Sequence, residues 1–130
     1  MDDLTKIFGD VIFKYTRAQA IEDGMLIDVS ETAKEAGFKI PVAVTAAVWE
    51  RCIKLTPAAE KVGNDINGRL WDVLWMAFMA ARRGPDTHEL LYKLRVVIKS
   101  KRPELVELKL HCGPGDDLRP VITIMLPEED

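Results

Sequence analysis

Residues 66–99 decide the fold, and they read INGRLWDVLWMAFMAARRGPDTHELLYKLRVVIK. Apolar residues recur at helical spacing from Ile66 to Arg83, whereas from Leu90 onward they alternate with polar residues. The first pattern is typical of a helix and the second of a half-buried strand. Gly84-Pro85 lies between them and is a helix stop signal. The stretch therefore predicts a helix followed by a strand.

The helix predicted over about residues 66–83 is apolar around nearly its whole circumference. Its large apolar residues are Leu70, Trp71, Val73, Leu74, Trp75, Met76, Phe78 and Met79. A helix that is apolar all round is normally buried, so we expect a central helix with its tryptophans, like Trp49, in the core. Its one polar side, formed by Asp65, Arg69 and Asp72, suits a short line of ion pairs.

Two more alternating runs follow, at Val106–Cys112 and Ile122–Leu126. Short turn-rich links at residues 100–103 and 113–117 join the three runs. Consecutive strands with such links favour an antiparallel meander that places one face on the helices. We therefore expect a C-terminal three-stranded antiparallel sheet packed on the central helix.

The N-terminal quarter predicts short elements. Phe8–Tyr15 ends in β-forming residues and is predicted to be a short strand or an extended arm. Thr16 and Gln19 have the spacing of a capping box, which predicts a helix that stops at Gly24. A second short strand is predicted at Met25–Val29.

Further helices are predicted after Ser30 and after Thr45, each residue acting as an N-cap. The helix after Ser30 is predicted to end at Gly37, and an extended segment follows it. Residues 56–68 are polar and contain two glycines, so we expect a loop there with at most one helical turn. The whole pattern, residues 1–130, indicates a single α+β domain.

Composition excludes several classes of protein. The chain has 130 residues, is 48% hydrophobic and 30% charged, and carries a net charge of −3, as ordinary globular proteins do. Its longest apolar run, Val73–Ala81, is about half of the roughly 20 residues that cross a bilayer. No secretory leader is recognised at the N-terminus. We expect a cytoplasmic protein without membrane contact, with Cys52 and Cys112 reduced.

A basic strand face is the first candidate binding surface. Residues 82–109 hold eight basic and four acidic residues, a local charge of +4 that leaves −7 elsewhere. The solvent side of the predicted sheet would carry Lys93, Arg95, Lys99 and Lys109. Such a face suits a nucleic-acid backbone or an acidic protein partner. The alternative is a solvated face whose lysines protect the sheet edge from aggregation.

Tyr15 and Arg17 form the second candidate, because a strand leading into a capped helix can present them at a cleft near a helix N-terminus, where anions bind. The alternative is that Tyr15 packs, Thr16 caps the helix and Arg17 pairs with an acidic neighbour. His111 and Cys112 are adjacent in a predicted strand and so point to opposite faces, which excludes them as a nucleophile–base pair.

Catalytic and cofactor signatures are missing from the sequence. It has no phosphate-binding glycine loop, no H-E-x-x-H, no C-x-x-C and no G-x-S-x-G. Asp116 and Asp117, in a Gly-Pro-Gly loop, are typical of a turn rather than a cation site, which needs about six oxygens. We therefore predict no catalytic residue, no cofactor and no metal.

The sequence also resembles a known family. Residues 8–37, FGDVIFKYTRAQAIEDGMLIDVSETAKEAG, are similar to the opening of a family of small bacterial proteins of unknown function found in phage, plasmid and other mobile-element contexts. PVAVTAAVW at 41–49, GRLWDVLWM at 68–76 and CGPGDDLRPVITIMLP at 112–127 continue the resemblance. The resemblance implies a mobile-element setting but no reaction, so it assigns no catalytic residue.

These observations favour a non-enzymatic protein that binds another macromolecule, with an unidentified protein as the expected partner. Two alternatives stay open. One is a small nucleotide-binding protein or enzyme that uses the Tyr15–Arg17 region. The other is nucleic-acid binding through the basic strand face.

Overall fold

The structure is a computed structural model that describes residues 15–84 and 86–130. The predicted strand or arm at Phe8–Tyr15 therefore lies outside the described residues, except for Tyr15. Helices and strands are interleaved in the described chain, which confirms the α+β class. Within these residues, no helix combines the length and the apolar character needed to cross a bilayer.

Five α-helices occur in the described residues: α1 (Arg17–Glu22), α2 (Ser30–Ala36), α3 (Ala46–Val48), α4 (Pro57–Lys61) and α5 (Ile66–Arg83). The bounds of α5 agree with the predicted helix. The helix predicted after Thr45 is present, but after three residues α3 passes directly into a π-helical turn at Trp49–Ile53. The segment predicted as a loop contains α4, with Pro57 at its first position.

Helix caps were predicted correctly at two of three positions. The Thr16 hydroxyl accepts a hydrogen bond from Gln19 N–H at 3.0 Å, and the Gln19 side chain accepts one from Thr16 N–H at 3.0 Å. The Thr45 hydroxyl caps α3 by accepting from Val48 N–H. Ser30 is not an N-cap but the first residue of α2, and its N–H and hydroxyl donate to the Asp28 carboxylate at 3.0 and 2.6 Å.

Within the described residues, the strands form one five-stranded mixed sheet. They are β1 (Leu26–Asp28), β2 (Val42–Thr45), β3 (Glu89–Val96), β4 (Glu104–Pro114) and β5 (Pro120–Met125), in the spatial order β1-β2-β5-β4-β3. β3, β4 and β5 pair antiparallel in succession, but β5 also pairs in parallel with β2, which pairs antiparallel with β1. The prediction of a three-stranded sheet was thus incomplete. All four residues of β2 are buried, so its sequence lacks the alternation that reveals a strand.

The core lies between one face of this sheet and helices α2 and α5. β3 turns Tyr92, Leu94 and Val96 toward α5, and its intervening residues face the other side. The Tyr92 hydroxyl donates to the carbonyl of Val73 at 3.1 Å, which joins the middle of α5 to this strand. We call the helix-covered side of the sheet the inner face and the opposite side the outer face.

The prediction that α5 is buried on all sides is wrong. Trp71, Trp75 and Met76 are 36%, 40% and 39% exposed. Strand β3, helix α2 and the π-helical turn pack against α5, and within the described chain they leave these three side chains open to solvent. Apolar periodicity reports where apolar residues lie on a helix, but it does not report whether another element covers them.

The predicted line of ion pairs on α5 is also absent, because Arg69 points into the protein. Its Nε donates to the Ile53 carbonyl at 3.0 Å, and its Nη1 donates to Val97 O at 2.9 Å and Asn64 Oδ1 at 3.1 Å. Asp65 instead caps α5 through Gly68 N–H. Arg69 thus ties α5 to the end of the π-helical turn and to the residue after β3.

Candidate interaction surface on helix α5

A ladder of aromatic rings runs along α5 and ends against the segment after α2. The Trp71 and Trp75 rings are stacked, with centroids 5.8 Å apart and planes 10° apart. Phe78 follows at 6.1 Å from Trp75 and meets Phe38 edge-on at 5.4 Å. Residues spaced by four and three positions lie on one side of a helix, which is why the rings align. We call Trp71, Trp75 and Phe78, with Arg82 at the end of the row, the aromatic face.

Gly37 at the end of α2 fixes the inner end of the ladder. A Cβ atom at this position would lie 2.5 Å from Cζ of Phe78, and the φ angle of 125° is in the region that favours glycine. The absent side chain lets the Phe78 ring close against α2. Phe38 and Phe78 are therefore held in place, while Trp71 and Trp75 continue the row into solvent.

Positively charged side chains lie at and near the Phe78 end of the aromatic face. The guanidinium carbon of Arg82 lies 5.9 Å from the centroid of the Phe78 ring, within the range of a cation–π interaction. Next to Phe38 is a shallow cleft of about 500 Å³, lined by Ser30, Lys34, Gly37, Phe38, Lys39, Ile40 and Pro41. Its described lining includes two lysines and no carboxylate. The surface therefore offers exposed aromatic rings next to cations. A ligand that carries both apolar groups and negative charge could contact both.

The basic strand face is only partly assembled. Lys93 and Arg95 are exposed on the outer face, as predicted, and Lys99 is exposed in the link after β3. Lys93, however, lies directly opposite Glu107 on β4. Lys109 lies on the outer face as predicted, since it alternates with the buried Leu108 and Leu110. It is not open to solvent there, because its Nζ donates to the Glu129 carbonyl and lies 3.9 Å from Glu89, and its side chain is 12% exposed.

The second candidate region is built around Arg17, which fastens α1 to the sheet. Its Nη1 donates to the Thr123 hydroxyl and its Nη2 to the Ile122 carbonyl, both at 2.7 Å. The N–H groups of Arg17 and Ala18 donate to the Asp116 carboxylate at 2.8 and 3.0 Å. Burial lowers the pKa of Arg17, and the carboxylates of Asp28 and Asp116 oppose that shift. These contacts assign Arg17 a structural role.

Tyr15 does not pack in the core, contrary to the alternative interpretation of this region. It is more than half exposed, and its hydroxyl donates to Asp23 at 2.7 Å, a bond that raises the pKa of the phenol. Tyr15 and Arg17 do line a cleft of about 460 Å³, together with the β4–β5 turn. A binding role for this cleft stays a prediction.

A third cleft, of about 550 Å³, gathers His88, His111 and Cys112. Cys112 N–H donates to the His88 carbonyl at 2.7 Å, so His88 lies directly across the β3–β4 ladder from Cys112. Cys112 also packs against the core, as expected. Among residues 15–84 and 86–130, no group of three or more His, Cys, Asp or Glu side chains is placed to hold a metal ion.

The sequence reading missed the aromatic face because it placed both tryptophans in the core. A usable signal was present: residues 71, 75, 78 and 82 form one helical row that ends in an arginine, and arginine is rarely buried without a partner. A helical row of aromatic residues that ends in an arginine therefore indicates a side of the helix that lies at the protein surface.

Comparison with known proteins agrees with the resemblance in the sequence. No curated protein and no solved structure matches the chain. A family match does cover residues 5–130, nearly the whole sequence. The resemblance to a family without an assigned function is thereby confirmed, whereas its bacterial and mobile-element setting stays a prediction. On the strength of that match, the chain belongs to the family described as Family of unknown function (DUF6573).

Proposed function

We propose that this protein is a non-catalytic binding protein whose aromatic face receives an acidic segment of another protein. One observation carries the proposal: two stacked tryptophans, 36% and 40% exposed, lie in a row that ends at a cation. Tryptophan and arginine are among the residue types most enriched at interface positions that dominate binding energy. Full burial of a large apolar side chain is worth roughly 1.5–3 kcal/mol, and a partner that covers the exposed part of each ring would gain a share of that free energy.

Charge determines the kind of partner. Arg82 lies at the Phe78 end of the aromatic face, and Lys34 and Lys39 line the cleft next to Phe38, whose lining includes no carboxylate of α2. An acidic segment with apolar anchor residues would cover the rings and pair with these cations. Complementary charge of this kind raises the association rate and favours one class of partner.

Site-specific photocrosslinking tests the proposal. A photoreactive phenylalanine analogue at Trp75 is compared with the same analogue at Leu105, which is 56% exposed on the outer face of the sheet. In lysate of cells that encode the protein, we expect one protein to crosslink at position 75 and not at position 105. Peptide mapping should place the crosslink in an acidic segment, and Arg82→Glu should abolish it.

Three results would contradict the proposal. They are equal labelling from positions 75 and 105, a crosslink mapped to a basic segment, or a crosslink to nucleic acid. The last would favour the alternative of a nucleic-acid ligand, which should also show the steep salt dependence of phosphate contacts.

A further inference from the structure

β3 occupies the end of the sheet order and has a neighbour on one side only among the described residues. It is eight residues long, pairs with β4 along its whole length and contains neither glycine nor proline. Edge strands in folded proteins are usually short, bent by a bulge or interrupted by proline. β3 has none of these backbone features, and its edge is protected only by the charged side chains of Glu89, Lys93 and Arg95. Its backbone therefore offers a regular template for a strand whose charges complement these.

The hydrogen-bond pattern identifies which residues face the open edge. His88 lies opposite Cys112 and accepts a bond from its N–H, so these two residues form a hydrogen-bonded pair. Such pairs alternate along an antiparallel ladder, so the even-numbered residues of β3 bond to β4. The backbone N–H and C=O groups of Glu89, Leu91, Lys93 and Arg95 consequently point away from β4, toward the open edge.

We propose that β3 pairs antiparallel with β3 of a second copy, joining two five-stranded sheets into one of ten strands. Only the four outward-facing residues can form hydrogen-bonded pairs across this edge. Two registers give the largest overlap between the two copies of β3. In one of them, Lys93 of each copy lies opposite Lys93 of the other. The other places Glu89 opposite Arg95 of the second copy at both ends, with Tyr92 at the two-fold axis. Charge complementarity selects this second register.

The exposed flank of α5 nearest β3 fits the same arrangement. Arg69 and Val73 contact the β3 side through Val97 O and the Tyr92 hydroxyl, and Met76 lies three residues after Val73 on that flank. Antiparallel pairing relates the two copies by a two-fold axis perpendicular to the sheet. The α5 helices of both copies then lie on the same face of the joined sheet. Each exposed Met76 then lies beside the junction, where the second copy would shield it.

This surface is separate from the aromatic face. Phe78 turns the aromatic row toward Gly37 and Phe38, on the α2 side of α5, whereas Met76 lies toward β3. Self-association through β3 therefore leaves Trp71 and Trp75 open to another protein. The two proposals can succeed or fail independently.

Charge exchange measured by sedimentation velocity over a wide concentration range tests the inference. The wild-type chain should dimerise, and Glu89→Arg or Arg95→Glu alone should each weaken the dimer by roughly tenfold, because each places like charges opposite one another at both ends. The double variant E89R/R95E should restore dimerisation. Thermal unfolding of each variant checks that the monomer is intact.

A backbone variant tests the pairing without relying on charge. Lys93→Pro removes an N–H group that faces the open edge, where proline is tolerated, and it should abolish the dimer. Lys93→Ala retains that N–H and is the matched control. A wild-type protein that stays monomeric at every concentration would overturn the proposal. So would a dimer that Lys93→Pro and both charge reversals leave unchanged. A dimer sensitive to Trp75→Ser but not to these variants would place the interface on the aromatic face instead, which also overturns it.

Discussion

At the scale of single residues, Gly37 allows the aromatic face to form, because the Phe78 ring packs where a side chain at position 37 would lie. It ends α2 in a conformation that favours glycine, and its missing side chain admits the Phe78 ring. The glycine that ends α2 was evident from the sequence. Its contact with Phe78 was not, because the two residues lie 41 positions apart and meet only through the packing of α2 on α5.

Gly37→Ala should lower the free energy of unfolding by more than Gly63→Ala. Both glycines have positive φ angles, 125° and 86°, so a side chain at either position strains the backbone by about 1–2 kcal/mol. Only at position 37 would the added Cβ also collide with a ring, and overpacking costs a further 1–3 kcal/mol, roughly. Urea denaturation of the two variants measures the difference. Equal losses would mean that Phe78 does not pack against Gly37.

Cys52 makes stability sensitive to high pH. It is 1% exposed, and burial raises the pKa of its thiol from 9.0 to about 11. Between these values the unfolded chain releases the proton while the folded chain retains it. The thiol's contribution is therefore fully present below pH 9 and lost as the pH rises toward 11.

We expect Cys52→Ala to reduce the fall in unfolding free energy across this pH range, by at most about 1.4 kcal/mol per pH unit for one proton. Denaturation curves collected at several pH values measure the slope. Cys112→Ala, at a partly exposed thiol, is the matched control for replacing a cysteine by alanine. Identical slopes for the wild type and Cys52→Ala would contradict the buried placement of this thiol.

At the scale of elements, Arg69 holds three segments together. Its guanidinium binds the carbonyl at the end of the π-helical turn, Asn64 before α5, and Val97 after β3. Burial lowers the pKa of Arg69. The bounds of α5 could be predicted from periodicity and caps. The inward orientation of Arg69 could not, since its acceptors come from segments up to 28 residues away.

Arg69→Leu should destabilise the fold by about 2–4 kcal/mol, because buried acceptors lose their donors. Arg69→Lys keeps the charge but not the branched donor geometry, and it should restore only part of the stability. Arg82→Leu is the control at an exposed position of the same helix, where changes within about 0.5 kcal/mol are expected. Chemical denaturation gives all three values. A loss for Arg69→Leu no larger than that for Arg82→Leu would contradict the anchoring role.

At the scale of the whole molecule, the sequence predicted the α+β class and the antiparallel order of β3, β4 and β5. It did not predict the parallel pairing of β2 with β5, which joins Val42 to Ile122 and Val44 to Ile124. The two strands are far apart in the chain, and periodicity does not report which strands become neighbours.

The candidate surface also depends on the whole molecule. The outward side chains of Lys93 and Arg95 followed from strand alternation alone. The pairing of Lys109 with the Glu129 carbonyl did not, because it requires the C-terminal residues to return to β4. The solvent exposure of Trp71 and Trp75 likewise depends on how many elements pack around α5. A local sequence pattern carries no information about that number.

Acrylamide quenching of fluorescence in a Trp49→Phe variant measures whether Trp71 and Trp75 form an open binding face. Trp71 and Trp75 are then the only tryptophans in the chain. We expect red-shifted emission that acrylamide quenches readily in the free protein, and protection from quenching when the crosslinked partner is added. Blue-shifted emission that resists quenching in the free protein would contradict an open binding face.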